Sequence, residues 1–168
     1  MALVVGTNSY ITVDEADQLI TENYLSTDPL RVAWEALATG DKEVLLRRAA
    51  AQIDRLPFTG RVADVNQKMA FPRKAVFNDS PEIPEEVKSA QALQSVYYLD
   101  DANVTLATTR AELQRAGVTS YKLGDLSETF GSIGSVFDTI TSCSSEVLQL
   151  LNKWLMGGYR ICRFSHCI

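Results

Sequence analysis

The stretch Thr12-Val13-Asp14-Glu15-Ala16-Asp17-Gln18-Leu19-Ile20-Thr21-Glu22-Asn23-Tyr24-Leu25 decides the fold class. Thr12 and Glu15 have the spacing of a capping box: the threonine hydroxyl accepts the backbone N–H three residues on, and the glutamate reaches back to the threonine N–H. Ala16, Leu19, Ile20 and Tyr24 then recur every three or four positions, so one face of the helix is apolar and needs a partner. Working outward, Asp28-Pro29 reads as an N-cap and first helical residue, with Val32, Trp34 and Leu37 supplying the contacts of a short second helix. Gly40 ends it, and Asp41 caps a third helix through Val44, Leu45, Ala49, Ile53 and Leu56, with Arg47 and Arg48 on its outer side.

Between Pro57 and Ile83 the helical period is lost, and Pro57, Gly60, Pro72, Asn78, Asp79 and Pro81 punctuate a long irregular loop of the kind that usually has a role. Ile83-Pro84-Glu85-Glu86 restarts a helix with Pro84 in its first turn. Val87, Ala90, Leu93, Val96 and Tyr97 carry it toward Asn103 as the longest of the chain. A weaker helix spans Thr109 to Arg115 before Gly117, and residues 118–130 alternate around Gly124-Asp125 as a small hairpin. Residues 131–144 are rich in Gly, Ser and Thr and read as a flexible linker. A final helix follows, with Val147, Leu150, Leu151, Trp154 and Leu155 on one face, closed by Gly157-Gly158.

The expected architecture is mainly α. It comprises a helical core over 1–130 with a long loop and a minor hairpin, the linker 131–144, and a C-terminal helical arm over 145–168. That arm is the strongest interaction candidate in the sequence. An amphipathic helix with Trp154, on a linker and followed by Tyr159, Arg160, Arg163 and Phe164, has the form of a segment that docks in a partner's groove, weighed against one that folds back on its parent domain. Truncation after Ser144 should then leave a folded domain. Phe71, Pro72 and Arg73 form a second candidate contact, an apolar knob with a charged flank, weighed evenly against a loop that packs on its own core.

Composition narrows the functional classes. The 168 residues are 46% hydrophobic and 22% charged, enough for one core, and the net charge of −5 opposes broad phosphate binding. The N-terminus lacks a signal-peptide pattern and no apolar run is long enough to span a membrane, so a soluble cytoplasmic product is expected. The three cysteines, Cys143, Cys162 and Cys167, read as free thiols. Cys162-x3-His166-Cys167 lacks the spacing of a zinc site, so no metal or cofactor is expected. His166 is the only histidine and stands near the end of the chain, while the carboxylate pairs at Asp14/Glu15 and Glu85/Glu86 are explained as helix starts. Gly131-Ser132-Ile133-Gly134-Ser135 has no lysine to make a phosphate loop. No catalytic residue is named, and an enzyme is not expected.

The order of several motifs carries a resemblance. Ser9-Tyr10-Ile11-Thr12-Val13-Asp14-Glu15-Ala16-Asp17, the tryptophan helix, Lys42 to Asp54 with Phe58-Thr59-Gly60, Gln67 to Arg73, Ile83-Pro84, Tyr121 to Phe130 and Leu150-Leu151 together resemble the head-to-tail connector adaptors of tailed bacteriophages. Some members of that family are labelled DnaT-like single-stranded-DNA-binding proteins. The resemblance implies a structural subunit made in the host cytoplasm and placed in the virion neck. It would form a ring, commonly of twelve copies, beneath the portal protein and against tail or nozzle proteins. Genomic DNA would pass through its lumen without specific binding, and the C-terminal arm would engage the portal. The alternative from the same resemblance is a single-stranded-DNA-binding accessory of replication, which requires a basic and aromatic groove. The only such cluster noticed in the sequence is the tail after Gly157.

Overall fold

A computed structural model describes residues 2–74, 81–100, 120–123, 126–129 and 143–156, with the hairpin strands described in backbone only. The protein is mainly helical. In chain order it runs α1 (Val13–Asn23), α2 (Pro29–Glu35), α3 (Thr39–Asp54), β1 (Arg61–Val62), β2 (Arg73–Lys74), α4 (Glu85–Tyr97), β3 (Ser120–Leu123), β4 (Leu126–Thr129) and α5 (Ser145–Leu151). A 3₁₀ turn over Asn152–Trp154 continues α5.

The helix starts follow local chemistry. Thr12 Oγ1 accepts from Glu15 N at 3.2 Å and Glu15 Oε2 accepts from Thr12 N at 2.8 Å, which completes the capping box of α1. Asp28 caps α2 by accepting from Leu30 N at 2.8 Å, with Pro29 as the first helical residue. Two boundaries differ from expectation. Helix α3 begins at Thr39 without a side-chain cap, so Gly40 lies in its first turn rather than ending α2, and at 16 residues it is longer than the 13-residue α4. Pro84 caps α4 from outside, and regular helix ends at Tyr97 in turns closed by Leu99 N to Val96 O and Asp100 N to Tyr97 O. Val44, expected inside, is 53% exposed, because α3 buries Leu46, Ala49, Ala50 and Ile53 instead.

Helix α4 is the axis of the fold: α1, α2, α3 and α5 all pack on it. Its residues from Ala90 to Val96 are all buried, which places apolar clusters on two sides. One joins Ile11, Ala16, Ile20, Trp34 and Leu46 to Ala92 and Val96; the other joins Tyr10, Ile53, Phe58, Phe71, Val147, Leu151 and Trp154 to Val87, Ala90 and Leu93. Buried glutamines on α4 have their polar groups satisfied by neighbouring segments. Gln91 accepts from Tyr10 N at 2.8 Å and donates to Ser9 Oγ at 2.7 Å and Leu46 O at 2.9 Å, while Gln94 accepts from Ser144 N at 3.1 Å.

The hairpin expected over 118–130 is present as β3 paired antiparallel with β4, Ser120 opposite Thr129 and Leu123 opposite Leu126. The C-terminal helix corrects an expectation. In place of a free arm, α5 lies on α4 with Val147, Leu151 and Trp154 buried, each contributing about 1.5–3 kcal/mol of apolar burial. The helix had to cover the second cluster, and that need outweighs a separate existence. The helix expected over Thr109 to Arg115, linker positions 131–142 and everything after Met156 lie outside the described residues.

Candidate nucleic-acid interface

The irregular segment after α3 is built by three polar hubs. Gln67 accepts from Asp64 N at 3.0 Å and donates to Met69 O at 2.6 Å and Pro72 O at 2.9 Å, while Asp64 accepts from Asn66 N at 2.8 Å, so residues 64–72 close on themselves. Asp54, at the end of α3, accepts from the Tyr10 hydroxyl and from Ala70 N at 3.1 Å. Burial holds the Asp54 carboxyl above its ordinary range, with those two hydrogen bonds acting the other way, and burial also raises the Tyr10 hydroxyl.

The third hub is Arg73. Its guanidinium donates to Thr59 O at 2.9 Å, Ala70 O at 3.1 Å, Phe58 O at 3.3 Å and Gly60 O at 2.8 Å, a fork that joins both ends of the loop. It stands near the rings of Phe58 and Phe71, 5.6 and 6.0 Å from their centroids. Gly60, at φ +77°, makes the left-handed turn into β1. Strands β1 and β2 then pair antiparallel, Arg61 opposite Lys74 and Val62 opposite Arg73, and Ala63 N donates to Pro72 O at 3.0 Å. Phe71, preceding a cis Pro72, meets Phe58, Trp154 and Tyr10 edge-on at centroid distances of 4.8, 5.5 and 6.1 Å.

Phe71 and Arg73 are therefore inside, 1% and 8% exposed, and Pro72 is half-buried. Of the two readings weighed for Phe71, Pro72 and Arg73, the loop that packs on its own core is the one formed: the ring completes the core and the guanidinium binds carbonyls. Of the arm residues, Val147, Leu151 and Trp154 are buried in that same cluster, with Leu150 and Leu155 partly buried against it. Leu155 pairs with Phe58 in a β-bridge, Thr59 N donates to Trp154 O at 2.7 Å and Met156 N to Pro57 O at 2.9 Å. Tyr159, Arg160, Arg163 and Phe164 lie outside the described residues, as do Cys162, His166 and Cys167.

What the segment presents outward is charge. Residues 55–74 hold five of the chain's sixteen cations, Arg55, Arg61, Lys68, Arg73 and Lys74, and a single carboxylate, Asp64; the remainder has eleven cations against twenty carboxylates. Elsewhere the cations whose side chains are described are paired with carboxylates, except Arg48, which is exposed and packs on a ring. Arg31 pairs with Glu35 at 2.8 Å, Lys42 with Asp17 at 2.8 Å, Arg47 with Glu43 at 3.5 Å, Lys88 with Glu85 at 2.8 Å and Lys153 with Glu86, while Arg48 stacks 4.1 Å from the Tyr98 ring centroid. Arg55, Arg61, Lys68 and Lys74 are exposed and form no ion pair among the described residues. The tail is not the only basic stretch: five cations in twenty residues with one acid among them mark residues 55–74 in the sequence as well.

Among the described residues no three His, Cys, Asp or Glu side chains are placed to hold a metal, and no helix is long and apolar enough to cross a membrane. The fold and the charge pattern define a small helical protein with one braced, locally basic loop on an acidic body. The chain belongs to the family described as "Putative DnaT-like ssDNA binding protein", whose model matches residues 2–164. No curated protein and no solved structure matches it.

Proposed function

We propose that the protein is a non-enzymatic DNA-contacting module that holds single strands against the 55–74 segment. The observation that carries this reading is the charge partition: among the described residues, the exposed cations without an ion pair are Arg55, Arg61, Lys68 and Lys74, at a loop whose shape is fixed by its own hydrogen bonds, and Arg48, which stacks on Tyr98. Phosphates supply the missing counter-charge, and the acidic remainder confines a strand to this face. Val65, 89% exposed between the strands, adds an apolar contact beside these cations; the segment's aromatic rings, Phe58 and Phe71, are buried, so the grip is electrostatic rather than by base stacking. The family's description points the same way. The test is anisotropy of a labelled oligothymidylate titrated with salt. Contacts to three or four phosphates on a single strand give a log–log slope of about −2 to −3. Absence of binding at low salt would overturn the reading.

A second reading, the head-to-tail adaptor of a tailed phage, is favoured by a different observation. Leu25, Val32 and Val44 are 78, 52 and 53% exposed, apolar surface that a ring of copies would bury. In this reading the protein stands in the virion neck, about a dozen copies around a DNA conduit, between the portal and the tail or nozzle proteins. With α5 committed to the core, portal contact falls to residues beyond Gly157. A chain truncated after Gly158, mixed with portal-containing heads, should fail to attach; attachment equal to the full chain would sink this version.

A further inference from the structure

The two strands of the loop place their cations in an arrangement that folding alone does not favour. Side chains alternate across the ribbon, so Val62 and Arg73 face inward and Arg61 and Lys74 face out. Arg61 and Lys74 are direct cross-strand partners, which sets their Cβ atoms about 4.5–5.5 Å apart, and like charges in that position destabilise a ladder. No carboxylate among the described residues pairs with either one, and Asp64, the one acid of the segment, is engaged with Asn66 N in the turn.

The register is nevertheless fixed, and from behind. Arg73, one residue before Lys74 and opposite Val62, is clamped to four carbonyls, and the Ala63 N to Pro72 O bond closes the next rung. The repulsive pair is thus imposed by a scaffold that does not need it. An oxyanion seated between a guanidinium and an ammonium reverses the sign of the interaction, accepting charge-assisted hydrogen bonds from both without any rearrangement of the backbone.

We propose that Arg61 and Lys74 form a phosphate seat, the point at which one backbone phosphate of a bound single strand is held. The proposal rests on the single-strand reading for its occupant, while the seat itself rests on the ribbon's register. A free phosphate has the same chemistry, so the experiment separates the two sources.

Isotope-labelled full-length protein is titrated by NMR with inorganic phosphate, with oligothymidylate, and with the same oligomer carrying an uncharged methylphosphonate backbone. The double variant Arg61→Ala/Lys74→Ala is run beside Arg55→Ala/Lys68→Ala and the charge-conserving Arg61→Lys/Lys74→Arg. Because both residues are exposed, the melting temperature should be unchanged or raised as the repulsion is removed. The expected result is strand binding that the methylphosphonate abolishes, a loss of about tenfold or more in Arg61→Ala/Lys74→Ala, a salt slope reduced by about 0.7 for the one phosphate released, and retention of both in the charge-conserving variant.

Strand binding that is unaltered in Arg61→Ala/Lys74→Ala, or weakened no more than in Arg55→Ala/Lys68→Ala, overturns the seat and leaves the single-strand reading standing. Inorganic phosphate that shifts the Arg61 and Lys74 amides while no oligonucleotide binds supports the seat with free phosphate as occupant and removes the strand. Neither ligand binding overturns both.

Discussion

Helix α1 and the loop from Pro57 to Lys74 are both well-braced parts of the molecule, yet they are braced over different distances. The capping box of α1 closes over three residues, from Thr12 to Glu15, and needs nothing beyond its own turn. The loop is closed by Asp54 from α3, Tyr10 from before α1, Trp154 from after α5, and its own Gln67 and Arg73. Order in the first case is a property of a short peptide; in the second it is a property of the assembled protein.

Substitutions separate the two kinds of order. Phe71→Ala should have the largest effect, about 3–5 kcal/mol of stability by chemical denaturation, because it empties the centre of an aromatic cluster drawn from three parts of the chain. Arg73→Ala follows at about 2–3 kcal/mol, since it strips donors from carbonyls at both ends of the loop. Arg73→Lys should recover less than half of that, because an ammonium does not reproduce the planar fork. Hydrogen exchange should then show the loop opening while α1 stays protected. Thr12→Ala is the reverse test at about 1 kcal/mol, fraying α1 and leaving the loop amides protected.

The smallest effect sharpens the comparison through pH. Glu15 is held below the ordinary carboxylate range, chiefly because it accepts the Thr12 N–H. Its contribution is present above the unfolded value of about 4.3 and is lost as pH falls through the folded one. Asp54 is held above that range by burial. Its contribution is greatest below the unfolded value of about 3.9 and is lost as pH rises through the folded one. In melting profiles across the acid range, Glu15→Gln should therefore remove a gain in stability with rising pH, and Asp54→Asn should remove a loss. Identical slopes in the two variants would break the contrast.

That contrast also explains what could be read without a structure. The helices were legible because caps and apolar periods are local: Thr12, Asp28, and the spacing of Ala16 and Ile20 each act within a few residues. The hairpin was legible from its turn. The position of α3 slipped because Ala38 caps it without a side-chain bond, leaving Asp41 as the more visible signal. The inward turn of Phe71 and Arg73 was not legible, since a Phe-Pro-Arg sequence states nothing about carbonyls fifteen positions away. The burial of α5 was hidden for the same reason: an amphipathic helix shows that it needs a partner, not which partner. The basic surface was partly written in the composition of residues 55–74, but the pairing of the other cations had to be seen before those four stood out.

The bond from Thr59 N to Trp154 O joins positions 95 apart in the chain. On the ribosome, Phe58 and Phe71 emerge long before the tryptophan that covers them, so the nascent chain carries an open aromatic face through most of its synthesis. Closure over so long a span is slow compared with forming α1, and a hydrophobic face left uncovered meanwhile invites self-association. The last turn of α5 thus sets when the loop sets hard, and any cell making this protein must keep the unfinished chains apart until then.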